Sequence, residues 1–271
     1  MKSNWIKYVF VIIIIILLAF AIYIIKNDEQ EKKQEQEYTA NTQEEKVKEI
    51  KIGIAKLDTI NPILSNNKNV QQISKLIYEP LVDLSSDYKA EPCLATEWAK
   101  QSDNSYLIRL RENVRWSNGQ SFTADDVQFT IDRLKDTQTI YSSNVQDITG
   151  IEVIDDYTIK INLDKEVPFF EYNLTFPILS KEYYQGEDFA STSKNSAPVG
   201  TGKFKIADAQ SSYITLEKNT NWWNKEKQIV LEKITVNLYS SVGELYNSFK
   251  IGNLDEVATD NTNVQDYIGS M

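Results

Sequence analysis

Apolar and polar positions alternate along short stretches of this chain, and helically spaced apolar positions separate several of them. Glu49 to Ala55 alternates with a period of two and predicts a strand. After Pro62 and the polar loop Ser65-Asn-Asn-Lys-Asn69, Val70, Ile73, Leu76 and Ile77 fall at helical spacing, and Glu79-Pro80 ends that helix. Tyr106, Ile108 and Leu110 share one face of a second strand, with Leu107, Arg109 and Arg111 on the other. Asn118-Gly119 predicts a two-residue hairpin turn with positive φ angles. Thr123 then caps a helix whose apolar face is Val127, Ile131 and Leu134, with Asp125 and Asp126 in its first turn, where the helix dipole favours them. A hairpin over 151–163 should turn at Asp155-Asp156, and Pro168-Phe-Phe and Leu174-Thr-Phe-Pro177 should hold a short buried helix and its exit. A strand is predicted over 232–238 and a last helix over 242–249. The order is that of an α/β domain with a mixed sheet.

Two segments precede this domain. Tyr8 to Ile25 is an unbroken apolar run of roughly eighteen residues, the short end of what spans a hydrocarbon core. Lys2 and Lys7 lie before it, so the positive-inside rule places the body of the protein outside the cell. Ala19-Phe20-Ala21 has the small-x-small form of a cleavage site, but the apolar run continues through Ile25, which favours an uncleaved anchor over a signal peptide. The expectation is a single-pass cell-membrane protein with residues 1–26 as signal anchor. Residues 27–48, rich in Glu, Gln and Lys, bury too little to order themselves and read as a flexible linker. Residues 49–271 form the folded lobe.

Charge and composition narrow the chemistry. Of 271 residues, 29 are Lys or Arg and 39 Asp or Glu, a net charge of −10 that argues against nucleic acid as a partner. The chain has no histidine and one cysteine, Cys93. That removes the commonest general base and metal ligand and excludes an internal disulfide. Cys93 reads as a small buried side chain. Asp125 and Asp126 diverge around their helix, so they cap it and are no catalytic pair. Ala197-Pro-Val-Gly-Thr-Gly-Lys lacks the Lys-Ser/Thr end of a phosphate loop. Arg109, Arg111 and Arg115 could fork a ligand carboxylate, but a solvated face against local acids such as Glu112 is the favoured reading. No residue is assigned to catalysis or to a metal, no cofactor is implied, and the protein is expected not to be an enzyme.

The motifs also carry a resemblance. Glu79-Pro-Leu-Val82, Ala95-Thr-Glu-Trp98, Val114-Arg-Trp-Ser-Asn-Gly119, Phe122 to Phe129, Gly200-Thr-Gly202 and Asn219-Thr-Asn-Trp-Trp-Asn224, in this order, closely resemble the family 5 extracellular solute-binding proteins of ABC importers, which include oligopeptide, dipeptide and nickel binders. The resemblance runs over about residues 49 to 258 and implies a periplasmic-binding-protein-like (type II) mixed-sheet lobe. It implies a peptide ligand, an ABC permease as partner, and a cleft bordered by Asn66, Asn67 and Lys68 with Tyr141 reaching in. Members of the resembled family are much longer, so the expectation is an N-terminal lobe truncated before the second lobe. A membrane-tethered interaction or sensor module, or a gene remnant without solute uptake, is the alternative.

Overall fold

The computed structural model describes residues 48–257, together with Lys26, Gln30 and Lys32. The Tyr8–Ile25 run and most of the polar stretch after it lie outside the described residues. Among the described residues no helix is long and apolar enough to cross a membrane. The chain divides into two compact units, residues 1–47 and 48–271.

The second unit holds two four-stranded sheets. β1 (Glu49–Ala55) leads through a polar loop to helix α1 (Lys68–Ile77), whose buried face is Val70, Ile73, Ser74 and Ile77. Each large apolar side chain so buried stabilises by about 1.5–3 kcal/mol. The helix stops where the backbone turns extended at Tyr78, two residues before Pro80. A small ribbon, β2 (Val82–Leu84) with β3 (Ala90–Pro92), follows. β4 (Ala95–Ser102) and β5 (Ser105–Leu110) form a hairpin, and α2 (Ala124–Asp136) buries Val127, Ile131 and Leu134 as its spacing predicts. After the short helix α3 (Ser142–Val145), β6 (Ile148–Asp155) and β7 (Thr158–Leu163) complete an antiparallel sheet in the order β4-β5-β7-β6.

The chain then passes through a 3₁₀ turn at Phe170–Leu174 and the single-turn helix α4 (Lys181–Tyr184). It returns to the first sheet as β8 (Phe204–Ala209), β9 (Tyr213–Lys218) and β10 (Lys233–Tyr239). That sheet runs β1-β10-β9-β8, with β1 parallel to β10 and the other pairs antiparallel. It is the mixed sheet the sequence predicts. Helix α5 (Val242–Lys250) closes the described chain, and Glu256 then bridges Ile52 in parallel on the free edge of β1.

Two turns differ from expectation. Of the Asn118-Gly119 pair, only Gly119, at φ 91°, has a positive φ. Gly119 N–H bonds Trp116 C=O at 2.8 Å and Trp116 N–H bonds Gln120 C=O at 2.9 Å, so the loop is three residues long with a left-handed glycine at its end. In the second hairpin Asp155 pairs with Thr158, which moves the turn to Asp156-Tyr157.

One core joins both sheets, from Ile54, Ile77 and Val236 to Ile108, Trp116, Ile131 and Ile161. The Gly-Thr-Gly segment is what allows the two halves to meet. A Cβ on Gly200 would lie 1.8 Å from the Ile77 carbonyl oxygen, and Gly202 N–H bonds that same oxygen at 2.8 Å. Its glycines serve close backbone approach.

Candidate functional site

β1 and β10 are parallel, so their carboxyl ends lie on one side of the sheet, where open α/β sheets place their ligands. A cavity of about 1030 Å³ opens there, lined by Lys56, Leu57, Asp58 and Thr59 after β1, Tyr239 and Ser240 after β10, and the β8–β9 turn at Gln210–Ser212.

The loop leaving β1 is braced from within. Lys56, at φ 58°, bonds Tyr239 C=O through its N–H at 2.9 Å. The Ser65 hydroxyl, fully buried, donates to the Asp58 carboxylate at 2.8–2.9 Å and accepts from Asn67 N–H at 3.0 Å. Asn61, also fully buried, donates to Asn195 Oδ1 at 2.9 Å.

The residues expected at the cleft fall into different roles. Asn67 is the N-cap of α1: its Oδ1 accepts from Asn69 N–H and its Nδ2 donates to Lys56 C=O, both at 3.0 Å. Lys68 opens the helix, so the polar loop ends two residues earlier than expected, and Asn66 and Lys68 are exposed. Tyr141 lies just before α3, half-buried, beside a second cavity of about 440 Å³ lined with Gln71, Ser74, Tyr78, Glu79 and Ile140. Its hydroxyl bonds Gln71 Oε1 at 2.5 Å, and Gln71 Nε2 reaches the loop carbonyls of Pro62 and Ser65, both at 2.7 Å. One side chain therefore ties Tyr141 to the polar loop across the sequence. Burial pushes the Tyr141 phenol up to about 12, so it stays neutral at physiological pH.

Gln71 carries no pattern that sequence reasoning could have read. Glu79, a helix terminator by its place before Pro80, is buried, and its carboxylate accepts Trp222 Nε1 at 2.8 Å and Trp223 Nε1 at 2.9 Å. Burial raises its pKa, and the two indole hydrogen bonds oppose the rise. The adjacent tryptophans were the available signal, because buried indole N–H groups require acceptors.

The arginines do not face Glu112. Arg109 pairs with Glu97 at 3.3 Å on the surface, Arg115 bonds Gly119 C=O at 2.8 Å, and Arg111 bonds Cys93 C=O at 2.9 Å. The Arg111 guanidinium lies 3.8 Å over the Trp223 ring, a stacked cation and no solvated charge. Cys93 is buried, and burial pushes its thiol well up. Among the described residues no three His, Cys, Asp or Glu side chains gather closely enough to hold a metal ion.

A mixed sheet with a braced loop and a cavity at its strand ends defines a class. NikZ from Campylobacter jejuni in complex with Ni(L-His) superposes with a TM-score of 0.71 at 24% identity, over 81% of this chain and 44% of that one. The oligopeptide-binding protein AppA from Bacillus subtilis in complex with a nonapeptide gives 0.70 at 21% identity, over 81% and 45%. The fold is periplasmic-binding-protein-like. The model of bacterial extracellular solute-binding proteins, family 5 Middle, matches residues 89–269, and the chain belongs to this family. The dipeptide-binding protein DppE of Bacillus subtilis (strain 168) is 26% identical over 264 residues, 85% of this chain and 48% of its own length. The periplasmic murein peptide-binding protein MppA of Escherichia coli (strain K12) is 27% identical over 218 residues, 71% and 39% of the two chains. The chain spans about half the length of the curated relatives it matches, or less. These relatives are binding proteins and not enzymes.

Proposed function

We propose that this chain captures a peptide outside the cell for an ABC permease and supplies one wall of the binding cleft. The observation that carries this reading is the Gln71 bridge, which brings the polar loop at the end of β1 together with Tyr141 from the other half of the lobe. A peptide presents regular N–H and C=O groups and variable side chains. A polar loop can pair with the former, and a neutral aromatic face with one oxygen tolerates the latter. Binding proteins of two lobes enclose their ligand by hinge closure, so a single wall makes only part of the contact. Attachment to the cell membrane through Tyr8–Ile25 would hold the lobe near its permease, with residues 27–48 as a tether spanning roughly 25 Å when flexible. The reading is tested by titrating the isotopically labelled full chain with tri-alanine. The amide signals of Asn66 to Asn69 and the Tyr141 ring should move together. Shifts confined to other surfaces would refute the placement of the site.

A further inference from the structure

Gln71 does more than hold two segments together, and its second role rests on the proposal that a peptide occupies the cleft. Its side-chain amide has two N–H donors and one carbonyl acceptor. Two backbone carbonyls, of Pro62 and Ser65, each lie 2.7 Å from Nε2. Rotating the amide by half a turn would point its oxygen at both carbonyls, replacing two hydrogen bonds by two repulsions. The orientation is therefore set by the loop, and Oε1 faces Tyr141. An amide oxygen only accepts, so the phenol proton must be the donor in that contact.

From this network we infer that Tyr141 is an acceptor-only contact in the cleft and that Gln71 is the positioning residue that makes it so. With its one proton committed to Gln71, the Tyr141 oxygen has only lone pairs left for a ligand. It stays protonated across the physiological range because burial lifts its pKa to about 12. A ligand must therefore place a hydrogen-bond donor there, a peptide N–H or an ammonium group. A carboxylate or carbonyl oxygen at the same point meets another lone pair and is rejected. The polar loop thus selects the chemical sense of a ligand group it does not itself touch. Tyr141 and Gln71 line the same cavity, which leaves room for such a group beside them.

The test uses the full chain in two arms. Through-hydrogen-bond scalar couplings are measured from the Gln71 side-chain amide protons to the Pro62 and Ser65 carbonyl carbons. The chain is then titrated by NMR, at high millimolar concentration, with tri-alanine and analogues that each lack one donor. Two replace a peptide N–H with an ester oxygen, and one trimethylates the amino terminus. Both couplings should appear, and one analogue should bind about three- to tenfold more weakly than tri-alanine, the loss expected for a single hydrogen bond. Tyr141→Phe should abolish that difference, and Gln71→Leu should shrink it by freeing the phenol proton to donate. Missing couplings, or equal affinity of the native chain for tri-alanine and every analogue, would overturn the inference. Couplings present with no response to any tripeptide would uphold the orientation of Gln71 and overturn the peptide reading instead.

Discussion

Asp125 and Asp126 are neighbours in the first turn of α2, yet their removal should have very different consequences. Asp125 is exposed and pairs with Lys181 Nζ at 3.0 Å, with both side chains about half in solvent. Surface pairs of this kind contribute about 0–1 kcal/mol. Asp126 is buried, and its carboxylate accepts three donors: Thr123 N–H at 2.9 Å, Trp116 Nε1 at 3.2 Å and Lys181 N–H at 2.8 Å. These fasten the Gly119 loop, the start of α2 and the start of α4 to one point. Asp126→Ala leaves all three donors without their acceptor, at about 1–3 kcal/mol for each that water does not reach. Relief of the buried charge offsets part of this, so a net loss of about 2–4 kcal/mol is expected at neutral pH. Burial lifts the Asp126 carboxyl from 3.8 to about 6. A folded pKa above the unfolded value means stability that is present at low pH and lost as pH rises through 6. The cost of Asp126→Ala should therefore be larger at pH 5 than at pH 8, by about 1.4 kcal/mol for a shift of this size. Urea unfolding followed by tryptophan fluorescence measures both values, with Asp125→Ala as the control. Equal losses for the two alanine variants, or a cost for Asp126→Ala that grows toward pH 8, would refute this reading.

Gly119→Val should destabilise by about 1–3 kcal/mol through backbone strain, because its φ of 91° is hostile to a β-branched residue although a Cβ there meets nothing. A thermal midpoint equal to that of the parent would show that the turn is built otherwise. Glu79→Gln keeps an acceptor for one indole but turns its NH₂ toward the other, so a loss of about 1–3 kcal/mol and a red-shifted tryptophan emission are expected. An unchanged emission maximum would remove Glu79 from its role between the tryptophans. If Tyr8–Ile25 is an uncleaved anchor, the protein should fractionate with membranes and keep Met1 or Lys2. A mature form released to the medium and starting at Ile22 would contradict it.

Local features were legible in the sequence because their causes are local. The buried face of α2 follows from the spacing of Val127, Ile131 and Leu134, and the alternation of Tyr106, Ile108 and Leu110 placed β5 with its buried side. Turns were legible only to within a residue. Asn118-Gly119 fits a two-residue turn as well as the three-residue loop, and nothing in Asp155-Asp156-Tyr157 says which pair lies at the tip. The site was less legible because its contacts are remote. Gln71 and Tyr141 are 70 positions apart, and Glu79 meets tryptophans 143 and 144 positions on. No periodicity encodes such pairings. Asn67 shows a different ambiguity: its residue type suits a ligand loop and a helix cap equally, and the geometry engages both ends of its side chain with the backbone.

Peptide affinity of the full chain tests most directly the claim that this lobe forms one wall of a solute cleft. Hydrogen bonds made to an open wall contribute only about 0.5–1.5 kcal/mol each, against an association cost of at least about 4 kcal/mol. Isothermal titration with tri- to pentapeptides should therefore give a dissociation constant weaker than roughly millimolar, equivalent to about −4 kcal/mol. Adding the separately expressed second lobe of a related binding protein should tighten it. Micromolar binding by this chain without any added lobe would contradict the one-wall claim and show a self-sufficient binder.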